Sequence, residues 1–253
     1  MNGNSTAKKP TEKGRNTQII AISSGKGGVG KSSICANLGI LLADQGLNVC
    51  IVDADHGLAN INIILGLPPA KVDFDIFTKP EDVLQAVQKS KFEVDILSSR
   101  SGVSRETDPS QNNSPSVDNR IPEIAQLAVL FNELKKHYDV ILIDTAAGIN
   151  RAVKHYLAVA DFVLLVLMPE PTSLTDGFGL VRAMKEVNNA FQVVTNRVSG
   201  APQANNIYRR FSNAVKKFIG LDISLLGYIN EDPYVPFAVL RQLPIVRHRP
   251  DCP

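Results

Sequence analysis

The run "GKGGVGKS", Gly25 to Ser32, constrains this chain more than any other stretch. It matches G-x-x-x-x-G-K-[ST] without a gap. An apolar run of strand length, "QIIAIS" (18–23), precedes it, and a helical pattern, "SSICANLGILLADQG", follows it and stops at Gly46. A phosphate loop needs this context. Glycines let backbone N–H groups turn inward around phosphate oxygens, and the helix N-terminus adds partial positive charge. Gly25, Gly27, Gly28, Val29, Gly30, Lys31, Ser32 and Ser33 are the expected nucleotide-phosphate contacts. Lys31 is expected to reach the β and γ phosphates. The Ser32 hydroxyl is expected to bind Mg2+, a hard cation that prefers oxygen ligands.

The remaining chain repeats the same alternation. Continuous apolar runs at 47–55, 94–99, 139–145, 161–168, 191–198 and 225–230 read as buried strands. Helical patterns occupy 122–138, 172–188 and 206–220, and the first helix is expected to bury Ile34, Leu38, Leu41 and Leu42. Strand and helix alternate, so the fold class is α/β, a doubly wound and mostly parallel sheet. One domain is expected over 18–249, with a disordered tail at 1–17, a long polar loop at about 100–120, and a short tail at 250–253.

Composition narrows the function. The formal net charge is +2 over 253 residues, which does not mark a dedicated nucleic-acid binder. Of the three cysteines, Cys35 and Cys50 sit in apolar runs and read as buried small hydrophobes; no C-x-x-C occurs. The N-terminus lacks the apolar run of a signal peptide, and no stretch is long enough to span a membrane, so a cytoplasmic location is expected.

Three carboxylates fall at strand ends. "DVILIDT" brings Asp144 to the carboxyl end of a strand, where it would hold Mg2+. "IVDAD" brings Asp53 and Asp55 to another such end, the edge at which open sheets bind ligands. Asp53 either faces the metal or anchors a loop; Asp55 is placed to orient water at the γ-phosphate. Lys26 is a second lysine in a loop that needs one. It is either a solvated charge or a cation for phosphate on another molecule, acting as an arginine finger does.

"GKGGVGKS" resembles the deviant Walker A motif of the MinD/ParA (SIMIBI) P-loop ATPases, in which the extra lysine is the signature. The resemblance covers almost all of 18–249. It implies an ATP-dependent homodimer with two nucleotides between the subunits, Lys26 reaching the opposite nucleotide, and slow hydrolysis of ATP to ADP. Within that family, "DADHGLANINIILGL", "DTAAGI" and "PEPTSLTDGFGLVRAMK" are most similar to the flagellar-number regulators FlhG/FleN (YlxH). By that likeness Asp53 and Asp144 are metal-side carboxylates and Asp55 the water-orienting residue. Asn60, Gly148, Glu170 and Asp176 are switch or interface residues. Asn196 and Arg197 read adenine, a job an amide suits because it pairs donor with acceptor. The implied partner is an FlhF-like GTPase or a flagellar regulator.

The departures are specific. Residues 1–17 lack the flagellar family's "DQAxxLR" motif. His56 stands where that family has an apolar residue, and Ala146–Ala147 remove a glycine from the second switch. Three prolines after residue 243 leave no room for the family's amphipathic membrane helix, so reversible membrane association is expected only if such a helix follows Pro253. A MinD-like division-site role shares all the chemistry. A ParA-like DNA-partitioning role needs a basic stripe, for which Arg209–Arg210 and Lys216–Lys217 are candidates beside the plainer reading as a solvated helix face. Iron–sulfur carriers of the Mrp or nitrogenase-reductase kinds need cysteine pairs, which are absent. An ATP-binding scaffold without turnover is the non-enzyme alternative; Lys31, Ser32 and Asp55 together argue against it.

Overall fold

The computed structural model describes residues 16–55, 61–68, 80–98 and 122–251. Eight strands form one sheet in the order β3-β4-β2-β5-β1-β6-β7-β8. They are β1 (Gln18–Ser23), β2 (Val49–Ala54), β3 (Gln88–Lys89), β4 (Val94–Ser98), β5 (Val140–Thr145), β6 (Phe162–Leu167), β7 (Phe191–Val198) and β8 (Ser224–Asn230). All neighbours are parallel except the short β3, which pairs antiparallel with β4. The seven apolar runs are the seven long strands; β3, two polar residues, carries no apolar signal.

Successive strand residues enter opposite cores, as the period of two requires. Ile19, Ala21, Ile141 and Ile143 face one core, with α3 (Pro80–Ala86), α4 (Ile124–Leu134), α5 (Arg151–Val159), α6 (Pro171–Met184) and α7 (Ala201–Ile219). Ile20, Ile22, Val140 and Leu142 face the other, with α1 (Lys31–Asp44) and α2 (Ile61–Leu65). Helices on both faces explain the unbroken apolar runs.

Helix α1 corrects one expectation. Its buried apolar side is Cys35, Ala36, Gly39, Ile40 and Ala43, whereas Leu41 is 46% exposed and Ile34, Leu38 and Leu42 lie at the margin. Small residues face the sheet because the helix sits close to it, and the leucines flank that contact. Cys35 and Cys50 are both fully buried, and burial pushes both thiols up.

Thr17 corrects another. It is buried, and its hydroxyl donates to the Tyr138 carbonyl at 2.8 Å and the Lys135 carbonyl at 3.0 Å, so order begins before β1. Residues 1–15 and the loop at 100–120 lie outside the described residues. After β8 come α8 (Tyr234–Leu240) and α9 (Ile245–His248). Arg247 ties α9 to α1 through Asp44, and the Val246 N–H donates to Asn37 Oδ1 at 3.1 Å. Helix α9 is four residues long, with none of them buried. Among the described residues no helix is long and apolar enough to cross a membrane.

Candidate nucleotide site

Strand order assembles the site. β5 lies between β1 and β2, so the loop after β1, the aspartates ending β2 and the aspartate near the end of β5 meet at one carboxyl edge. Asp53 and Asp144 are register partners on adjacent strands, and Ile22 is the partner of Asp144 on the other side.

The loop divides its two lysines. Lys31, 8% exposed, turns inward and donates to Ser24 Oγ at 3.0 Å. Burial lowers its ammonium below the usual range, opposed by the charges of Asp144 and Asp55. Lys26 turns outward to an ion pair with Glu170, and donates to Thr172 Oγ1 at 3.1 Å. Ser24 was missed by the sequence reading. Its hydroxyl donates to the Lys26 carbonyl at 2.6 Å while accepting from Lys31. A polar residue directly before the first glycine is the signal that marks it.

Gly28 and Gly30 take left-handed φ values of 75° and 95°. At Gly30 a Cβ would also stand 2.5 Å from Asn196 Nδ2, so a side chain is excluded twice over. The Val29 side chain is in the core, which leaves its backbone for phosphate. Ser33 uses its carbonyl to accept from Asn37 Nδ2 at 2.7 Å. The second switch is tied to the loop: Gly148, at φ 88°, donates its N–H to the Ser24 carbonyl at 3.0 Å. Gly148 supplies the left-handed residue there, and neither Ala146 nor Ala147 takes a positive φ, so the missing glycine is not needed.

Asp144 is 1% exposed, and its Oδ1 has no hydrogen-bond partner among the described residues. Burial pushes this carboxyl up to about 7; the Ser32 hydroxyl and the Lys31 charge pull it down, and Asp55 pushes it up further. An orphaned buried oxygen beside a serine hydroxyl fits a hard cation. No cluster of three or more His, Cys, Asp and Glu occurs among the described residues. Mg2+ keeps waters and phosphate oxygens as ligands, so one carboxylate and one hydroxyl can be the protein's share.

Asp53 is fully buried and accepts N–H groups from Asp55 and Ile61, each at 3.2 Å. It brackets the ends of the segment 56–60, which is the loop-anchoring alternative. Burial, with the charge of Asp144 next, pushes its carboxyl up to about 8. Asn60 and His56 lie outside the described residues.

The two adenine candidates are otherwise engaged. Asn196 donates from Nδ2 to the Val29 carbonyl at 2.7 Å, so it braces the phosphate loop from β7. Arg197, at φ 58°, is exposed and pairs with Glu231 at 2.6 Å. Asn196→Ala strips that buried carbonyl of its partner, which costs about 1–3 kcal/mol. Nucleotide affinity should fall by about tenfold or more in an equilibrium titration, with Arg197→Ala, on an exposed pair, moving it less than about threefold. Asp176 is exposed, and its backbone lies against Gly25. On α7, Lys216 pairs with Asp222 at 2.7 Å and Lys217 lies over the Phe218 ring, the pattern of an ordinary solvated face.

Comparison with known proteins agrees with this geometry. A family model described as an AAA domain matches residues 17–197. The "Antiactivator FleN" of Pseudomonas aeruginosa is 32% identical, over 89% of this chain and 78% of that protein. The "Septum site-determining protein MinD" of Helicobacter pylori is 32% identical, over 90% of this chain and 84% of that protein. A structure of MinD complexed with Mg-ADP from Pyrococcus horikoshii superposes with a TM-score of 0.71 at 27% identity, covering 93% of this chain and 90% of that one. On these matches the chain belongs to the MinD/ParA family of P-loop ATPases, Mg2+-dependent enzymes that bind ATP and release ADP.

Proposed function

We propose that this ATPase is a switch that dimerises on ATP and so positions other proteins or cargo, in the manner of a division-site or partitioning ATPase. The observation that carries this reading is the division of the two lysines. Lys31 is turned into the cradle, while Lys26 leaves it for the N-terminal end of α6 and stays half-exposed. A half-exposed cation held at the rim supports a role on the phosphate of a second copy.

Each residue then has a role. The loop amides and the start of α1 hold the phosphates, and Lys31 offsets charge on the β and γ groups. Ser32 and Asp144 would hold Mg2+, which would supply charge neutralisation to the phosphoryl group. Asp53 positions Asp55 by accepting its backbone N–H. Asp55 orients the attacking water and need not be a strong base if phosphoryl transfer is loose. Lys26 from the opposite subunit adds charge that the site lacks alone. ATP orders the switch segments into a partner surface, and hydrolysis releases it.

The dimer is tested by molecular mass in solution with ATP and Mg2+. Asp55→Ala, slowed in hydrolysis, should accumulate as a dimer. Asp55→Ala with Lys26→Ala should bind ATP and remain a monomer. A monomer of Asp55→Ala with nucleotide bound would sink the sandwich.

The 32% identity to FleN supports a second reading, control of flagellar number or placement. The partner separates the two. A GTPase resembling FlhF, or a flagellar regulator, retained by the ATP-bound dimer and not by the Lys26→Ala monomer would favour the flagellar role. A division or cargo protein would favour the first.

A further inference from the structure

Lys26 is not idle in the isolated chain. Its ammonium is paired with the Glu170 carboxylate and bonded to Thr172 Oγ1. Both partners come from the N-terminal end of α6, 144 and 146 residues away in the chain. They arrive there because β6 is the neighbour of β1, with Ser23 in register with Leu165, so the chain leaving β6 runs beside the phosphate loop. The contact between loop and helix is backbone on backbone, since a Cβ on Gly25 would lie 2.1 Å from the Asp176 carbonyl carbon. The pair is therefore held on packed elements and not on a wandering loop.

Glu170 is the N-cap residue of α6, yet its side chain makes no capping bond. A carboxylate there has a favourable partner in the helix N-terminus itself. This one is turned to the lysine instead. Lys26 holds the Glu170 carboxyl below the usual carboxylate range, and the charge of Arg197 acts in the same direction. When Lys26 departs, the carboxylate keeps water, the Thr172 hydroxyl and a nearby guanidinium as company, so release is cheap and reversible.

We propose that Glu170, assisted by Thr172, is a latch that keeps Lys26 in its own chain and thereby sets how readily two ATP-bound copies pair. This rests on the reading that Lys26 serves the opposite nucleotide. The same ammonium cannot hold the Glu170 carboxylate and a phosphate of the partner at full strength. Each latch must open once per subunit. A half-exposed pair such as this one shifts an equilibrium by roughly 1.4- to 5-fold. Two copies opening together multiply to about 2- to 30-fold on the dimer dissociation constant. Glu170 thus acts as a positioning residue and a brake, without touching the reacting atoms.

Two readouts keep the latch and the sandwich apart. In nucleotide-free protein labelled with 15N-lysine, the Lys26 ammonium protons should exchange with water several-fold faster in Glu170→Gln than in wild type, with Glu170→Asp between. Unchanged exchange overturns the latch whatever the dimer does. In the Asp55→Ala background with ATP and Mg2+, Glu170→Gln should tighten the dimer about 2- to 30-fold by sedimentation, and Thr172→Val should move it the same way by a smaller step. A weaker Glu170→Gln dimer overturns the brake, because Glu170 then contributes more across the interface than it withholds. Monomers of Asp55→Ala both with and without Glu170→Gln, with ATP bound, overturn the sandwich, and the brake with it, while the exchange rates still report on the contact within the chain.

Discussion

Gly25→Ala should lower stability by about 3 kcal/mol, a fall of roughly 9 °C in melting temperature for a chain of this size. The methyl carbon would lie 2.1 Å from the carbonyl carbon and 2.3 Å from the carbonyl oxygen of Asp176. Those are backbone atoms of α6, so no rotamer change makes room. The loop or the helix must shift, and the phosphate cradle shifts with it. A displacement near 1 Å at a reacting centre costs about a hundredfold in rate, so turnover should fall by at least that much. Gly27→Ala is the control. Its Cβ would meet nothing nearer than Ala147 Cβ at 3.9 Å, and Gly27 does not take a positive φ. Its melting temperature without nucleotide should stay within about 2 °C of wild type. Equal melting of the two variants would show that the close approach to α6 is not fixed.

Asp144→Asn should change stability and activity in opposite directions. The carboxyl is buried, has one oxygen without a partner among the described residues, and is raised from 3.8 to about 7, mainly by desolvation. Its folded pKa lies above its unfolded value. Stability from this group is therefore complete below about pH 4 and is lost as pH rises through 7. An amide carries no charge to bury. At pH 8, without nucleotide, Asp144→Asn should be more stable by on the order of 2 kcal/mol, and the gain should vanish towards pH 4. Turnover with Mg2+ should fall by about a hundredfold or more, since a metal's charge stabilisation is worth several kcal/mol. In the wild type, a proton on Asp144 competes with Mg2+, so the Mg2+ concentration at half-maximal rate should rise as pH drops below about 7. A destabilised Asp144→Asn at pH 8 would remove burial as the cause of the raised pKa. Undiminished turnover would remove Asp144 from the metal site.

Each of these residues stands at a different distance from what the sequence can show. Asp144 is legible because a strand-length apolar run ends on it, and Asp53 and Asp55 for the same reason. Their division of labour is less so. In sequence Asp53 reads as a metal-side carboxylate with a loop anchor as the alternative, and its two backbone partners, Asp55 and Ile61, are the contacts that the alternative requires. Glu170 and Asn196 were picked out only by resemblance, and the partners they have in this fold, Lys26 and the Val29 carbonyl, were not foreseen. Helices α2, α3, α5, α8 and α9 were also missed. They are short, and four of the five span seven residues or fewer apart from α5 with nine, too little for a 3.6-residue period to stand out.

The sequence by itself determined the phosphate loop, the seven long strands and the class of fold. Each depends on residues adjacent in the chain: glycines that permit a turn, a lysine and a serine at fixed steps, apolar runs that only a doubly covered sheet can bury. The tertiary structure alone decided what those residues meet. It put small side chains of α1 against the sheet and left Leu41 outside. It brought Asn196 to Val29 across 167 residues, and Glu170 to Lys26 across 144. The reason is strand order. Placing β6 beside β1, and β7 beside β6, follows from how two cores are filled at once, and no local pattern records which strand lies next to which.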